Sequence, residues 1–334
     1  MTQKLLYPSP LRPGDTVAIA SPSSQPPPTP ARFRRGVAFL RASGFEVRVP
    51  EGAARSEPRS PAQRAEELNA LLIDSSVRAI IASIGGYNSN ALLPMLDFDA
   101  LRRDPKFLVG YSDITALHLG ILSRAGVVSL HGPTLLPELA EFPAPQPVSE
   151  QELLRFFSGA WAGPLPHVPA WTDEFLQWDQ DDVRPRTKTS GPEQRWLGAG
   201  SVSGPLIGGN LETLEALLGT AYFPNLNGAI LFWETCNTSL GPIERSLDHL
   251  EQAGALDDLA GVVVGRTFRA PPELSAEIEK AMVRRHGGSG MPVVLNVDIG
   301  HTDPMLTLPI GHQASLDADA RELVLAPRPG EELR

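Results

Sequence analysis

Residues 106–125 read KFLVGYSDITALHLGILSRA, and this stretch decides the fold. Lys106–Val109 is an apolar run of strand length, while Asp113–Ala125 sets Ala116, Leu117, Ile121 and Leu122 on one side at helical spacing. Between them Gly110–Asp113 leaves room for a tight turn only. A further apolar run, Val127–Leu130, follows the helix. Strand, turn, helix and strand in this order predict a parallel sheet with helices packed on it.

The same alternation extends toward the N-terminus. Thr16–Ala20 reads as a buried strand followed by a Pro/Ser-rich loop, Ser21–Pro30. Helices are expected at Arg32–Ser43 and Pro61–Asp74, and strands at Glu46–Val49 and Ala79–Ile84. Residues 1–165 therefore read as a doubly wound, Rossmann-like α/β domain. Residues 166–200 are rich in Pro and Trp and read as a crossover with a mobile or ligand-covering loop. Periodicity resumes in 201–334, with helices at Leu211–Leu218, Ile243–Ala253 and Ser275–Arg285. Strands are expected at Ala229–Trp233, Gly261–Val264 and Val293–Asn296, closed by a hairpin of Ala314–Leu316 and Glu322–Leu325. This is a second, mixed α/β domain.

Composition narrows the function. The 334 residues are 42% hydrophobic and 20% charged, enough apolar material for two cores. A net charge of −10 argues against nucleic acid or an anionic membrane as the main partner. One cysteine, Cys236, excludes an intrachain disulfide and a multi-thiolate zinc site. Met1–Asp15 lacks an apolar signal core, and no apolar run is long enough to span a bilayer, so a cytoplasmic protein is expected. The chain carries neither G-x-G-x-x-G nor a P-loop, and no second histidine stands at ligand-like spacing from His301, so neither a nucleotide cofactor nor a metal is expected.

Four residue types at strand ends carry the chemistry. Ser112 lies between an apolar strand and a helix, the setting that exposes a nucleophilic hydroxyl, although the same place suits a helix N-cap. Gly85–Gly86 follows another strand and suits an anion-binding backbone or a plain turn. His301, in Asp298–Ile–Gly–His–Thr–Asp–Pro304, and Glu234, directly after five apolar residues, supply a base and an orienting acid. His131 also follows a strand. His118 is expected to pack inside a helix, and His167, His249, His286 and His312 to face solvent.

Taken together and in order, several motifs resemble the LD-carboxypeptidase family of serine peptidases, nearest the branch with the microcin C immunity peptidase. They are Gly85–Gly–Tyr–Asn–Ser–Asn90, Gly110–Tyr–Ser–Asp–Ile–Thr–Ala–Leu117, His131–Gly–Pro133, Gly208–Gly–Asn–Leu211, Leu231–Phe–Trp–Glu234 and Gly300–His301. The resemblance implies a Rossmann-like domain and a smaller, swivelling, barrel-like C-terminal domain, with a Ser112–His301–Glu234 triad across their cleft. It further implies an oxyanion hole from the amides of Gly85, Gly86 and Asp113, a pocket lined by Asn210, no metal or cofactor, and a homodimer. Microcin-cleaving members carry a basic residue shortly after the triad Glu, whereas Thr235–Leu240 contains no Lys or Arg. They also stack a base on a Trp. Trp178 is favoured for that role by spacing over Trp171 and Trp196, and Arg184, Arg186, Lys188 and Arg195 are the nearest cations for a substrate carboxylate. The expected activity is hydrolysis of a small peptide-like substrate, either a murein peptide or a peptidyl-nucleotide. The alternative is a two-domain protein that closes on a small ligand without chemistry.

Overall fold

A computed structural model describes residues 4–330; residues 1–3 and 331–334, at the outer ends of the two expected domains, lie outside the described residues. The first half runs β1 (Thr16–Ala20), α1 (Pro30–Ala42), β2 (Glu46–Arg48), α2 (Pro61–Ile73), β3 (Val77–Ala82), α3 (Phe98–Arg103), β4 (Phe107–Gly110), α4 (Thr115–Ala125), β5 (Ser129–His131) and α5 (Pro147–Phe157). There follow β6 (Gly163–Pro164), β7 (Arg195–Leu197), β8 (Ser201–Asn210), α6 (Leu211–Glu215), β9 (Ile230–Glu234) and α7 (Leu240–Gln252). The chain then continues through β10 (Gly261–Gly265), α8 (Pro272–His286), β11 (Val293–Val297), β12 (Leu308–Ile310), β13 (Gln313–Asp317) and β14 (Glu322–Leu325).

Local signals set several of these bounds. Ser60 and Gln63 form a reciprocal capping box before α2, and Gly126, at φ 65°, ends α4 in the left-handed region. After the Gly85–Gly86 turn the chain forms a 3₁₀ segment, Ser89–Met95, rather than an α-helix, with Pro94 inside it. Proline has no N–H for the α pattern, which accounts for the difference. The helix expected to reach Leu218 keeps α geometry only to Glu215.

The strands form two sheets, ordered β12-β5-β4-β3-β1-β2 and β6-β14-β13-β8-β9-β10-β11-β7. In the first, β5, β4, β3, β1 and β2 are parallel, and β12 joins β5 antiparallel. In the second, β8 to β11 are parallel, while β7, β13, β14 and β6 run antiparallel to their neighbours. Each sheet therefore borrows from distant sequence. β12 edges the first sheet, and β6 and β7 edge the second.

Trp161 binds the sheets together. It is 1% exposed, stacks on Phe107 of β4, meets Phe156 of α5 and Tyr7 edge-on, and lies 5.7 Å from the His312 ring. His312, expected to face solvent, is buried: Tyr7 Oη lies 3.0 Å from Nδ1 and the Ala326 carbonyl 2.7 Å from Nε2. The return of the chain between β12 and β13 carries it inward. Replacing Trp161 with Ala is expected to cost about 3–5 kcal/mol, the usual range for a deleted core aromatic. Urea unfolding measures this as a lower midpoint, and a loss below about 1 kcal/mol would mean the sheets do not depend on this ring.

Candidate active site

The first sheet presents Ser112 just beyond the carboxyl end of β4, where open α/β sheets place their ligands. Its φ is 60°, a left-handed conformation uncommon for a residue with a Cβ and typical of a strained strand-to-helix elbow. Ser112 Oγ hydrogen-bonds to no described residue. The neighbouring turn fits it closely. A Cβ on Gly85 would lie 2.9 Å from Ser112 Cβ, and one on Gly86, at φ 131°, would strike Ser24 Oγ. The loop after β1 braces this turn, with Ser24 N donating to Gly85 O at 3.2 Å. Asp113 looks away: its Oδ2 accepts from Ser89 N at 2.8 Å and from Ser23 Oγ.

The second sheet brings the acid and the base together. Asn210 and Glu234 end adjacent parallel strands in direct register. Glu234 is fully buried, its Oε1 accepts from Asn210 Nδ2 at 3.1 Å, and its Oε2 lies 2.7 Å from His301 Nδ1. Two glycines make room for this side chain. A Cβ on Gly265 or Gly300 would come within 2.6 or 2.9 Å of Glu234 Cβ. His131 Nε2 lies 2.7 Å from the Ile299 carbonyl, which fixes the turn carrying His301. Burial opposes charge on both partners, yet the mutual attraction prevails: His301 is raised well above its usual value and Glu234 lowered, further aided by His131 and Asn210. With Nδ1–H directed at Glu234, Nε2 of the neutral ring is the acceptor.

Contacts from α4 join the two halves. Gly209, at φ 144°, lets Thr115 approach the backbone, and Asn210 N donates to Thr115 Oγ1 at 2.9 Å. Tyr111, next to Ser112, meets the His301 ring edge-on at 4.7 Å. Ser112, Gly86 and Asn210 line one cleft of ≈ 590 Å³. His301, Tyr111, Trp178 and Arg186 line a second cavity of ≈ 170 Å³.

Of the three candidate tryptophans, Trp178 alone lines the His301 cavity, with its ring 4.7 Å from the Arg32 guanidinium. Trp171 packs on Arg266, and Trp196 lines a separate cavity with Val294 and Leu323. Among the four basic residues, Arg186 lines the His301 cavity, paired with Glu141 at 2.8 Å and with Asp303. Arg184 pairs with Glu174 and Arg195 with Glu279, both on the surface. The crossover is pinned rather than loose. Asp179 accepts from Ala31 N and Arg32 N at the start of α1, and Asp182 pairs with Arg32 and Arg35.

The sequence reading assigned no role to Glu138. It is buried, accepts from Tyr111 Oη at 2.7 Å and Thr134 N at 2.7 Å, and is pushed up to about 7 by burial and by the nearby Asp303 charge. The signal was present, since Glu138 interrupts the apolar run Leu135–Leu139, as Glu234 closes one. Asp298 and Asp303, on either side of His301, are paired with Arg266 and Arg186.

A left-handed serine after β4 and a buried His–Glu pair on the second sheet are the elements a serine-type hydrolase uses. Residues 17–132 match the LD-carboxypeptidase N-terminal domain and residues 203–316 its C-terminal domain, and the chain belongs to this family of serine-type carboxypeptidases. It is 33% identical over 336 residues to the microcin C7 self-immunity protein MccF of Escherichia coli, covering 95% of each chain. It is 28% identical to a "Probable murein peptide carboxypeptidase" of Bacillus subtilis, covering 95% of this chain and 93% of that one. A solved structure of MccF with aspartyl sulfamoyl adenosine superposes with a TM-score of 0.89 at 31% identity, covering 96% of this chain and 98% of that one. Among the described residues, no helix is long and apolar enough to cross a membrane.

An NMR titration tests the His–Glu pair. His301 should titrate above its ordinary 6.5, and Glu234→Gln should move that midpoint down, because the raising charge is gone. An unmoved midpoint would show that the 2.7 Å contact does not govern the ring.

Proposed function

We propose that Ser112, His301 and Glu234 act as a triad that hydrolyses an amide bond in a small peptide-like substrate. The observation that carries this reading is the 2.7 Å bond from His301 Nδ1 to a carboxylate with no exposed surface. Ser112 Oγ attacks the carbonyl and its proton passes to His301 Nε2. Glu234 stabilises the resulting imidazolium. The amides of Gly85 and Gly86, which donate to no described residue, and of Asp113 receive the oxyanion. His301 then protonates the leaving amine, and water activated by the same ring releases the acyl group.

Two cavities suit two halves of a substrate. The cleft beside Ser112 takes the acyl part, and the cavity beside His301 takes the leaving part, since the ring hands its proton to that side. There Arg186 faces the terminal carboxylate and Trp178 offers a flat apolar wall. The relatives' names support two substrate types, a murein peptide and a peptidyl-nucleotide. A cytoplasmic homodimer is carried by the family resemblance.

A fluorophosphonate probe should label the parent protein and leave Ser112→Ala unlabelled. Equal labelling would leave the alternative, a binding protein without chemistry. Glu234→Gln should lower kcat by about 10⁴-fold, the scale seen when an orienting acid is lost. Activity within a few-fold of the parent would make Glu234 structural only. Amidating the leaving residue's carboxylate should raise KM about tenfold or more, the scale of a lost charge-assisted bond. An unchanged KM would remove Arg186 from substrate recognition.

A further inference from the structure

The charge inventory of the cleft beside Ser112 is one-sided. Among its lining residues there is no Lys or Arg, and two carboxylates are present, Asp113 and Glu212. Asp113 is spent on Ser23 and Ser89 and interacts with the Arg64 charge. Arg64 is itself buried and donates to the carbonyls of Pro22 and Ser23, so its charge does not face the cleft.

Glu212 is different. It stands in the first turn of α6, two residues beyond Asn210, on the cleft wall that also holds Asn237. Its Oε1 accepts from Thr235 Oγ1 and Asn237 Nδ2, both at 2.5 Å. Those two bonds fix the carboxylate, while Oε2 hydrogen-bonds to no described residue. A fixed carboxylate with one uncommitted oxygen, in a cleft without a cation, presents a preorganised acceptor to whatever lies beside Ser112.

We infer that Glu212 is a specificity determinant that selects an acyl group bearing a protonated amine; this rests on the Ser112 reading given above. The ammonium donates to Glu212 Oε2, and the neutral wall of Asn210 and Asn237 accommodates the rest of the acyl residue. An acidic acyl group, such as the aspartyl and glutamyl groups of the ligands in solved MccF complexes, meets a like charge here with no cation to offset it.

Binding to Ser112→Ala protein, measured by calorimetry, tests this without requiring turnover. The panel is a tetrapeptide ending in Lys-D-Ala, its counterparts with norleucine or glutamate in place of Lys, and the dipeptides Nle-D-Ala and acetyl-Nle-D-Ala. The Lys peptide should bind about tenfold or more tighter than the norleucine one, and the glutamate one weakest. Preference for Nle-D-Ala over its acetylated form would place the α-ammonium, rather than a side-chain ammonium, at Glu212. Glu212→Gln, which retains an oxygen for Thr235 and Asn237, should erase the preference, and Glu212→Lys should reverse it. A merely structural Glu212 would alter all peptides alike. Equal binding of the panel, or a preference that survives Glu212→Gln, overturns the inference. Failure of the fluorophosphonate to label Ser112 overturns the catalytic reading instead, and the calorimetric ranking is read independently of it.

Discussion

A carboxylate without exposed surface governs the architecture around the Glu234–His301 pair. Removing an ion such as Glu234 from water costs several kcal/mol unless partners replace the lost hydration. Each neighbouring feature serves that need. The parallel register of β8 and β9 sets Asn210 beside it, the turn after β11 delivers His301, and Gly265 and Gly300 leave space on its flanks. The bond from His301 that stabilises the buried charge also orients the imidazole.

Ser112 comes from the other sheet, and beside the shared core a polar contact helps set its placement relative to the pair. Thr115 opens α4 immediately after the serine elbow and receives the amide of Asn210, which ends β8. Gly209 permits that approach, since any side chain would collide with Thr115. Tyr111 adds a second link, touching His301 with its ring while its hydroxyl is held by Glu138. The exchange of edge strands, with β12 in the first sheet and β6 and β7 in the second, couples the halves further.

The crossover lines the cavity beside His301. Asp179 and Asp182 fasten it to α1, and Arg186 reaches under it to Glu141 and Asp303. This buried network forms the floor of the cavity beside His301, while Trp178 and Phe175 form its wall. Attraction to Asp303 and Glu141 raises Arg186 above its usual value despite the burial that opposes its charge. The molecule thus has an ionic cavity beside His301 and a cleft without Lys or Arg beside Ser112.

Much of this was legible in the sequence for a physical reason: periodicity and turn chemistry are local. The strand–turn–helix of 106–125, the strand ends at Gly85, Glu234 and His301, and the Pro/Trp-rich crossover all follow from short-range patterns. Sequence order also identified β13 and β14 as a hairpin. It did not disclose that β12 pairs with β5, that His312 is buried, or that Asp303 pairs with Arg186. Nor could spacing show Glu138 beneath Tyr111, or Glu212 facing the cleft of Ser112. Such pairings join residues tens to hundreds of positions apart. Only the tertiary structure decides them, because charge pairing and burial depend on distance in space, which a one-dimensional pattern does not contain.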